Sequence, residues 1–278
     1  MNLFDVIPKL ENETESDFIG SDGLRYCGKC RTPKQVRIKI LDREFVNSCL
    51  CKCELEKYNA EREAVKLAEK RIEIEKNKSL CFHEKKCLDW RFENDNGENQ
   101  DFSRRIKNIL KKYAENFPKM LSENRGILLY GNVGSGKSFA AACVANAVLD
   151  MGYTAHMTSF SRIINTLWGY NGSRQEYIDR LVSYDLLIID DLSAERDTPY
   201  ANEIITSTID ARDISGKPLI ITTNLSDSEL FGNSPELRKH RVYSRIAEMC
   251  IPVKYVGDDR RIGKMRESLA KYKEILGL

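Results

Sequence analysis

The sequence lacks a strong net charge, a long apolar run and any repetitive stretch. Its 44 lysines and arginines nearly cancel 42 aspartates and glutamates, leaving +2. Charge alone therefore gives no argument for a nucleic-acid partner. No run approaches the roughly 18 apolar residues of a membrane span, so no membrane partner is expected. The opening residues, MNLFDVIPKLENETESD, are acidic and lack the apolar centre of a secretory signal. Nine cysteines would mean disulfides in a small secreted domain; without an export signal they are read as metal ligands or free thiols. A cytoplasmic protein is expected. There is no internal repeat. At 278 residues the chain has room for one α/β domain of roughly 150–200 residues plus a smaller piece.

What is present is organised around GILLYGNVGSGKS, residues 126–138. Ile127, Leu128, Leu129 and Tyr130 read as a buried parallel strand. Gly131, Asn132, Val133, Gly134, Ser135, Gly136, Lys137 and Ser138 then fit G-x-x-x-x-G-K-[ST] at every fixed position. The Ala-rich stretch from Phe139 to Leu149 reads as a helix. In that order, strand, glycine loop and helix make a phosphate cradle of backbone N–H groups and a helix N-terminus. Lys137 is expected to reach the β- and γ-phosphates of ATP, and Ser138 to ligate Mg²⁺. A chance glycine turn is the bland alternative, and it leaves the flanking strand and helix unexplained.

The second strong signal is Leu186-Leu187-Ile188-Ile189-Asp190-Asp191, four aliphatics of a strand buried on both faces with two acids at its C-terminal end. Asp190 is expected to hold the Mg²⁺ shell and Asp191 to orient the attacking water. Pro218 to Asn224 is another buried strand, and Asn224 at its polar end could bond the γ-phosphate or that water. Ser103 to Phe117 reads as an amphipathic helix that Pro118 breaks, Tyr153 to Met157 as a strand containing His156, Tyr200 to Ser215 as a helix, and Val253 to Val256 as a last strand. Leu237 to Ile246 is a basic helical stretch.

The N-terminal part has its own chemistry. Cys27 and Cys30 form a C-x-x-C, strands containing Val36, Ile38, Ile40 and Phe45-Val46 follow, and Cys49, Cys51 and Cys53 cluster some twenty residues later. This is the layout of a four-ligand zinc ribbon. Five thiols compete for four places; Cys27, Cys30, Cys51 and Cys53 are favoured for Zn²⁺, with Cys49 as substitute. Cys81, His83 and Cys87 offer three ligands without a fourth and read as packing residues. Glu54 to Lys78, free of Gly and Pro, reads as a charged helix with a thin apolar stripe at Leu55, Tyr58, Val65, Ala68 and Ile72.

Together GNVGSGKS, LLIIDDLSAE, IITTN, VYSRIAEMC and the Gly257-to-Arg261 turn, in that order and spacing, resemble the DnaC/DnaI branch of AAA+ ATPases. That branch contains helicase loaders, phage replication proteins and transposon helper ATPases. The resemblance runs from about Leu88 to the C-terminus; the cysteine-rich part resembles a zinc-bearing, helicase-binding region more loosely. It implies a P-loop parallel sheet flanked by helices over residues 88–278, a helical linker over 54–87 and a partner-binding zinc region over 1–53. It also implies Walker A at Gly131 to Ser138, Walker B at Asp190 and Asp191, sensor I at Asn224, an arginine finger at Arg245 (or Arg241, one turn away) and sensor II at Arg261. ATP would be hydrolysed between copies of the chain or against a homologous ATPase, with a replicative helicase and single-stranded DNA as partners. A transposition helper that binds DNA and recruits a transposase is the alternative. Asp-Asp stands where many relatives have Asp-Glu, which implies modest turnover, and the chain leaves little room after Arg261 for a helical lid. Trp168, Tyr170 and Arg174 are candidate DNA contacts, although core packing accounts for the two aromatics at least as well.

Overall fold

A computed structural model describes residues 16–40, 42–94, 102–169, 172–192, 198–232 and 237–257, together with Asp259 and scattered positions from Met265 onward. It divides into two compact units, 1–71 and 72–278.

The first unit carries two short hairpins. β1 (Phe18–Ile19) pairs with β2 (Arg25–Tyr26), and β3 (Gln35–Ile40) pairs antiparallel with β4 (Arg43–Ser48). Alternation along β3 puts Val36, Ile38 and Ile40 on one face, yet all three are exposed. Among its described residues the unit thus has almost no apolar core, and those buried are Cys27, Cys51 and Lys34. Lys34 is satisfied there by Asp17 at 2.9 Å and Glu54 at 3.2 Å. From Lys52 the chain enters α1 (Lys52–Cys81), where Leu55, Val65 and Ile72 lie exposed.

The second unit is built on a five-stranded parallel sheet. After two 3-10 turns (Lys85–Asp89 and Phe92–Asn94) come α2 (Phe102–Glu115), α3 (Phe117–Ser122), β5 (Gly126–Tyr130), α4 (Lys137–Asp150), β6 (Ala155–Thr158), α5 (Phe160–Trp168) and α6 (Arg174–Ser183). Then follow β7 (Leu186–Leu192), α7 (Pro199–Ile214), β8 (Leu219–Thr223), α8 (Asp227–Phe231), α9 (Leu237–Met249) and β9 (Cys250–Lys254). The strand order is β6-β7-β8-β5-β9, and every neighbouring pair is parallel. Because side chains alternate across a strand, each central strand feeds two cores. Ile127, Leu129, Ile188 and Ile220 pack with α2 and α4 on one side. Leu128, Leu187, Ile189 and Ile221 pack with α5, α7 and α9 on the other. The aliphatic central strands are polar only at their C-terminal ends, which is where an open parallel sheet binds its ligands.

The break expected at Pro118 is present: α2 ends at Glu115, and the proline lies in the first turn of α3, where a missing N–H costs nothing. Two local expectations are corrected. The last strand begins at Cys250, earlier than expected, and includes Pro252. That proline is tolerated because β9 is an edge strand paired with β5 alone. Trp168 is no core residue: it is 79% exposed.

Candidate functional site

The glycine loop leaves β5 at Gly131 and enters α4 at Lys137. Gly131 has φ 141°, and a Cβ there would lie 2.2 Å from the Tyr255 carbonyl oxygen, so only glycine fits between the loop and the chain leaving β9. Gly134 and Gly136 also have positive φ, which turns successive N–H groups toward a common centre. Ser135 Oγ donates to the Asn132 carbonyl at 2.9 Å and holds the loop closed.

Lys137 is buried. Its ammonium donates to the Gly131 and Asn132 carbonyls at 2.9 and 2.6 Å and to Asn224 Oδ1 at 2.8 Å. Asn224 Nδ2 in turn donates to Asp191 Oδ1 at 3.0 Å. A lysine at the start of α4, an amide just after β8 and a carboxylate near the end of β7 thus form one connected row, although 87 residues separate the first two. The amide fixes the row's direction, because its oxygen faces the cation and its nitrogen faces the anion.

A bulge arranges the two aspartates. Ile189 pairs with Ile221 and Leu192 with Thr223, so three steps of β7 oppose two of β8. Asp191 takes up the difference in the left-handed region, at φ 61°. Thr222, buried in β8, secures both acids: its hydroxyl accepts from the Asp191 N–H at 2.9 Å and donates to Asp190 Oδ1 at 2.5 Å. Asp190 is thereby separated from Asp191 and lines a cavity of about 250 Å³ with Ser138, Trp90, His83 and Arg162. A serine hydroxyl and a carboxylate facing one polar cavity beside a phosphate loop are the hard oxygen donors that Mg²⁺ takes. His83 and His156 lie edge to face at 5.6 Å, and His156 also stacks on Tyr184 at 5.0 Å. Burial pushes the His156 imidazole down to about 4 and lowers that of His83 as well.

Arg245 is turned toward its own chain. It donates to and is ion-paired with Asp210 of α7. With Arg241, Glu203, Ser207 and Val242 the pair lines a second cavity of about 500 Å³. Arg261 and Tyr170 lie outside the described residues. Trp168 stands edge-on to Tyr200 at 5.6 Å, while Arg174 lies over that same ring and bonds Glu203 at 2.7 Å.

In the first unit the thiols of Cys27, Cys30, Cys51 and Cys53 lie within 4.8 Å of one another. The Cys27–Cys53 and Cys51–Cys53 sulfurs are 3.7 and 3.3 Å apart. Tetrahedral Zn–S bonds of about 2.3 Å place sulfurs about 3.8 Å apart, so the four-thiol set fits zinc. Hydrogen bonding from the Thr32 hydroxyl holds the Cys30 thiol down at about 5, in favour of the thiolate a metal needs. Cys49 stands outside the group, its sulfur 3.5 Å from the Pro33 carbonyl. Among the described residues Cys81, His83 and Cys87 form no metal-holding group.

Thr222 and Asp210 do not stand out in the sequence as site residues. Thr222 carries a signal, a polar residue inside an aliphatic strand; the pairing of Asp210 with Arg245 spans 35 residues and leaves none.

The chain is 25% identical over 167 residues to the replicative helicase loader DnaI of Bacillus subtilis, covering 56% of this chain and 52% of that one. It is 30% identical over 123 residues to a protein of Mycobacterium tuberculosis named as a putative ATP-binding protein in an insertion sequence, covering 42% and 47%. The chain therefore spans about half the length of these relatives. Among solved structures, the DnaC helicase loader superposes with a TM-score of 0.56 at 22% identity, over 62% of this chain and all of that one, which shows a shared fold. IstB-like ATP binding proteins match residues 55–264, and the chain belongs to that family.

Proposed function

We propose that this protein binds and hydrolyses ATP and uses the cycle to load or remodel a replicative hexameric helicase on single-stranded DNA. The observation that carries the reading is the row Lys137–Asn224–Asp191 beside the cavity holding Ser138 and Asp190. The loop N–H groups from Gly131 to Gly136 would bind the β- and γ-phosphates, and Lys137 would exchange its carbonyl partners for their oxygens. Asp191 would accept a proton from the attacking water, and Asn224 would hold that water and the γ-phosphate in line. Ser138 and Asp190 would hold Mg²⁺, which when bound neutralises phosphate charge. Arg245 would complete the site of a neighbouring copy or homologous ATPase, an effect of about 10³–10⁵ in rate in other NTPases. Arg261 would act as sensor II. In this reading residues 1–53 are a zinc-holding, partner-binding region, 54–87 a helical linker and 88–278 the ATPase, and the protein works in the cytoplasm.

A helicase as partner is supported by the relatives named as helicase loaders. A transposition helper is favoured instead by the relative in an insertion sequence and by the family itself. The test is ATP turnover with and without single-stranded DNA, together with loading of the host's replicative helicase onto labelled single-stranded DNA, for wild type and Arg245→Ala. DNA-stimulated turnover and faster loading, both lost in the variant, are the expected results. Turnover indifferent to DNA and to Arg245, with no effect on helicase loading, would overturn the reading.

A further inference from the structure

We infer that Asp210 is a positioning residue for Arg245: it holds the guanidinium within its own chain until the nucleotide of a second copy draws it away. The inference rests on the proposed role of Arg245 as a finger.

Glu203, Ser207 and Asp210 recur on α7 at the spacing that puts them on one helix face. That face looks across the 500 Å³ cavity at Arg241 and Arg245 of α9, themselves one turn apart. Two acids and two arginines thus share one cavity, but their pairings differ. Glu203 is engaged by Arg174, which lies outside the cavity lining. Asp210 is engaged by Arg245, while Arg241 has no carboxylate partner among the described residues. Of the two arginines that line the cavity, the one held by an acid among the described residues is the one proposed to act on another copy.

The pair is neither buried nor fully solvated. The Arg245 and Asp210 side chains are 41% and 35% exposed, so a phosphate approaching from outside can reach the guanidinium without unfolding anything. Val242, which borders the same cavity, and Ile246 are buried in the core. The helix backbone is therefore anchored, and the exchange asks only for a change of Arg245 rotamer. A guanidinium presents the same planar fork to a carboxylate as to a phosphate, so the two compete for one set of donors. The γ-phosphate is the more highly charged, and it prevails once a second copy brings it close. Below that concentration Asp210 keeps Arg245 occupied and the subunit idle.

If Asp210 merely tied α7 to α9, removing its charge would loosen the cavity and lower turnover. As a competing counter-ion it does the opposite. The test is ATP turnover against protein concentration, without DNA, for the full chain carrying Asp210→Asn, Asp210→Glu, Asp213→Asn or Arg245→Ala, and for Asp210→Asn combined with Arg245→Ala. Asp210→Asn should lower the protein concentration of half-maximal turnover about two- to fivefold, the range a part-exposed ion pair contributes. Asp210→Glu should restore wild-type behaviour. Asp213→Asn, which removes an exposed acid from the same helix, should change nothing. The gain should vanish when Arg245 is alanine. Lower turnover in Asp210→Asn, or a gain that survives Arg245→Ala, would overturn the inference while leaving the finger assignment standing. Wild-type turnover in Arg245→Ala alone would remove the finger assignment, and the inference with it. Melting curves identify a variant that fails to fold; Asp210→Glu then carries the test, because restraint retained by a displaced carboxylate supports competition and turnover lost with it refutes it.

Discussion

Asn224 is the residue whose replacement separates catalysis from binding most cleanly. Its amide joins the Lys137 ammonium at 2.8 Å to the Asp191 carboxylate at 3.0 Å. Hydrogen bonds to charged groups contribute about 1.5–3 kcal/mol each. If Asn224→Ala removes one such bond from the transition state, the cost is about 10- to 150-fold in kcat, since about 1.4 kcal/mol is tenfold. Nucleotide affinity should fall less than about threefold, because the loop N–H groups and Lys137 remain to hold the phosphates. Asn224→Asp sharpens the test. It keeps an acceptor for Lys137 but sets a carboxylate against Asp191, so it should be the slower of the two variants. The assay is single-turnover hydrolysis at saturating ATP beside a fluorescent-nucleotide Kd. Weakened affinity with unchanged kcat would refute the reasoning, for it would mean that Asn224 binds ground and transition states alike. An unchanged kcat with unchanged affinity would also refute it.

Arg212 is fully buried and donates to the carbonyls of Val182, Tyr184, Asp185 and Pro218. Arg212→Met should cost about 3–5 kcal/mol by orphaning these acceptors, read as a lower urea midpoint; a loss under about 1 kcal/mol would contradict this. His156, held down at about 4, is neutral in the folded chain while its unfolded counterpart binds a proton below about 6.5. The unfolded state therefore binds more protons between these limits, and stability should fall by up to about 3 kcal/mol as pH drops from 6.5 to 4. Much of that slope should be absent in His156→Phe, with a residue left from His83. Cys51→Ser should abolish zinc binding, read by metal analysis, and lose the β3–β4 hairpin signals in NMR, because the described residues of that unit form almost no apolar core. Nucleotide binding should persist, and its loss would show that the cysteine unit supports the second unit.

The parts of the site legible in the sequence are those whose chemistry is local. The glycine loop announces itself because one short stretch must supply several N–H groups, a lysine and a hydroxyl to one phosphate chain, and the strand before it is a plain aliphatic run. The four other parallel strands are readable for the same reason, save one. The edge strand β9 hides its start, because Met249 and Cys250 continue the apolar pattern of α9 and nothing in the sequence says which residue is last to be helical. The helix α6 escapes notice, although Ile178, Leu181 and Val182 give it a buried face. Trp168 invites a core reading because large aromatics are usually core, and only the fold shows that α5 ends in solvent. Pairings across tens of residues, such as Arg245 with Asp210, have no local signature at all.

The pair Asp190-Asp191 shows how backbone geometry bears on side-chain choice. A longer acid at the second position would seem the better base, and from sequence its absence implies slow turnover. The bulge in β7 puts that position in the left-handed region. Asp and Asn tolerate that region better than residues with longer side chains, because their short polar groups can bond locally. Here Thr222 binds the Asp191 N–H and Asn224 meets its carboxylate at 3.0 Å. A glutamate would carry its carboxylate one methylene past Asn224 and would tolerate the left-handed backbone less well. The bulge also turns Asp190 toward the cavity with Ser138 while Asp191 faces Asn224, so two adjacent acids serve two separate places. The extra residue in β7 and the shorter acid are one adaptation: the bulge supplies the reach that the side chain lacks.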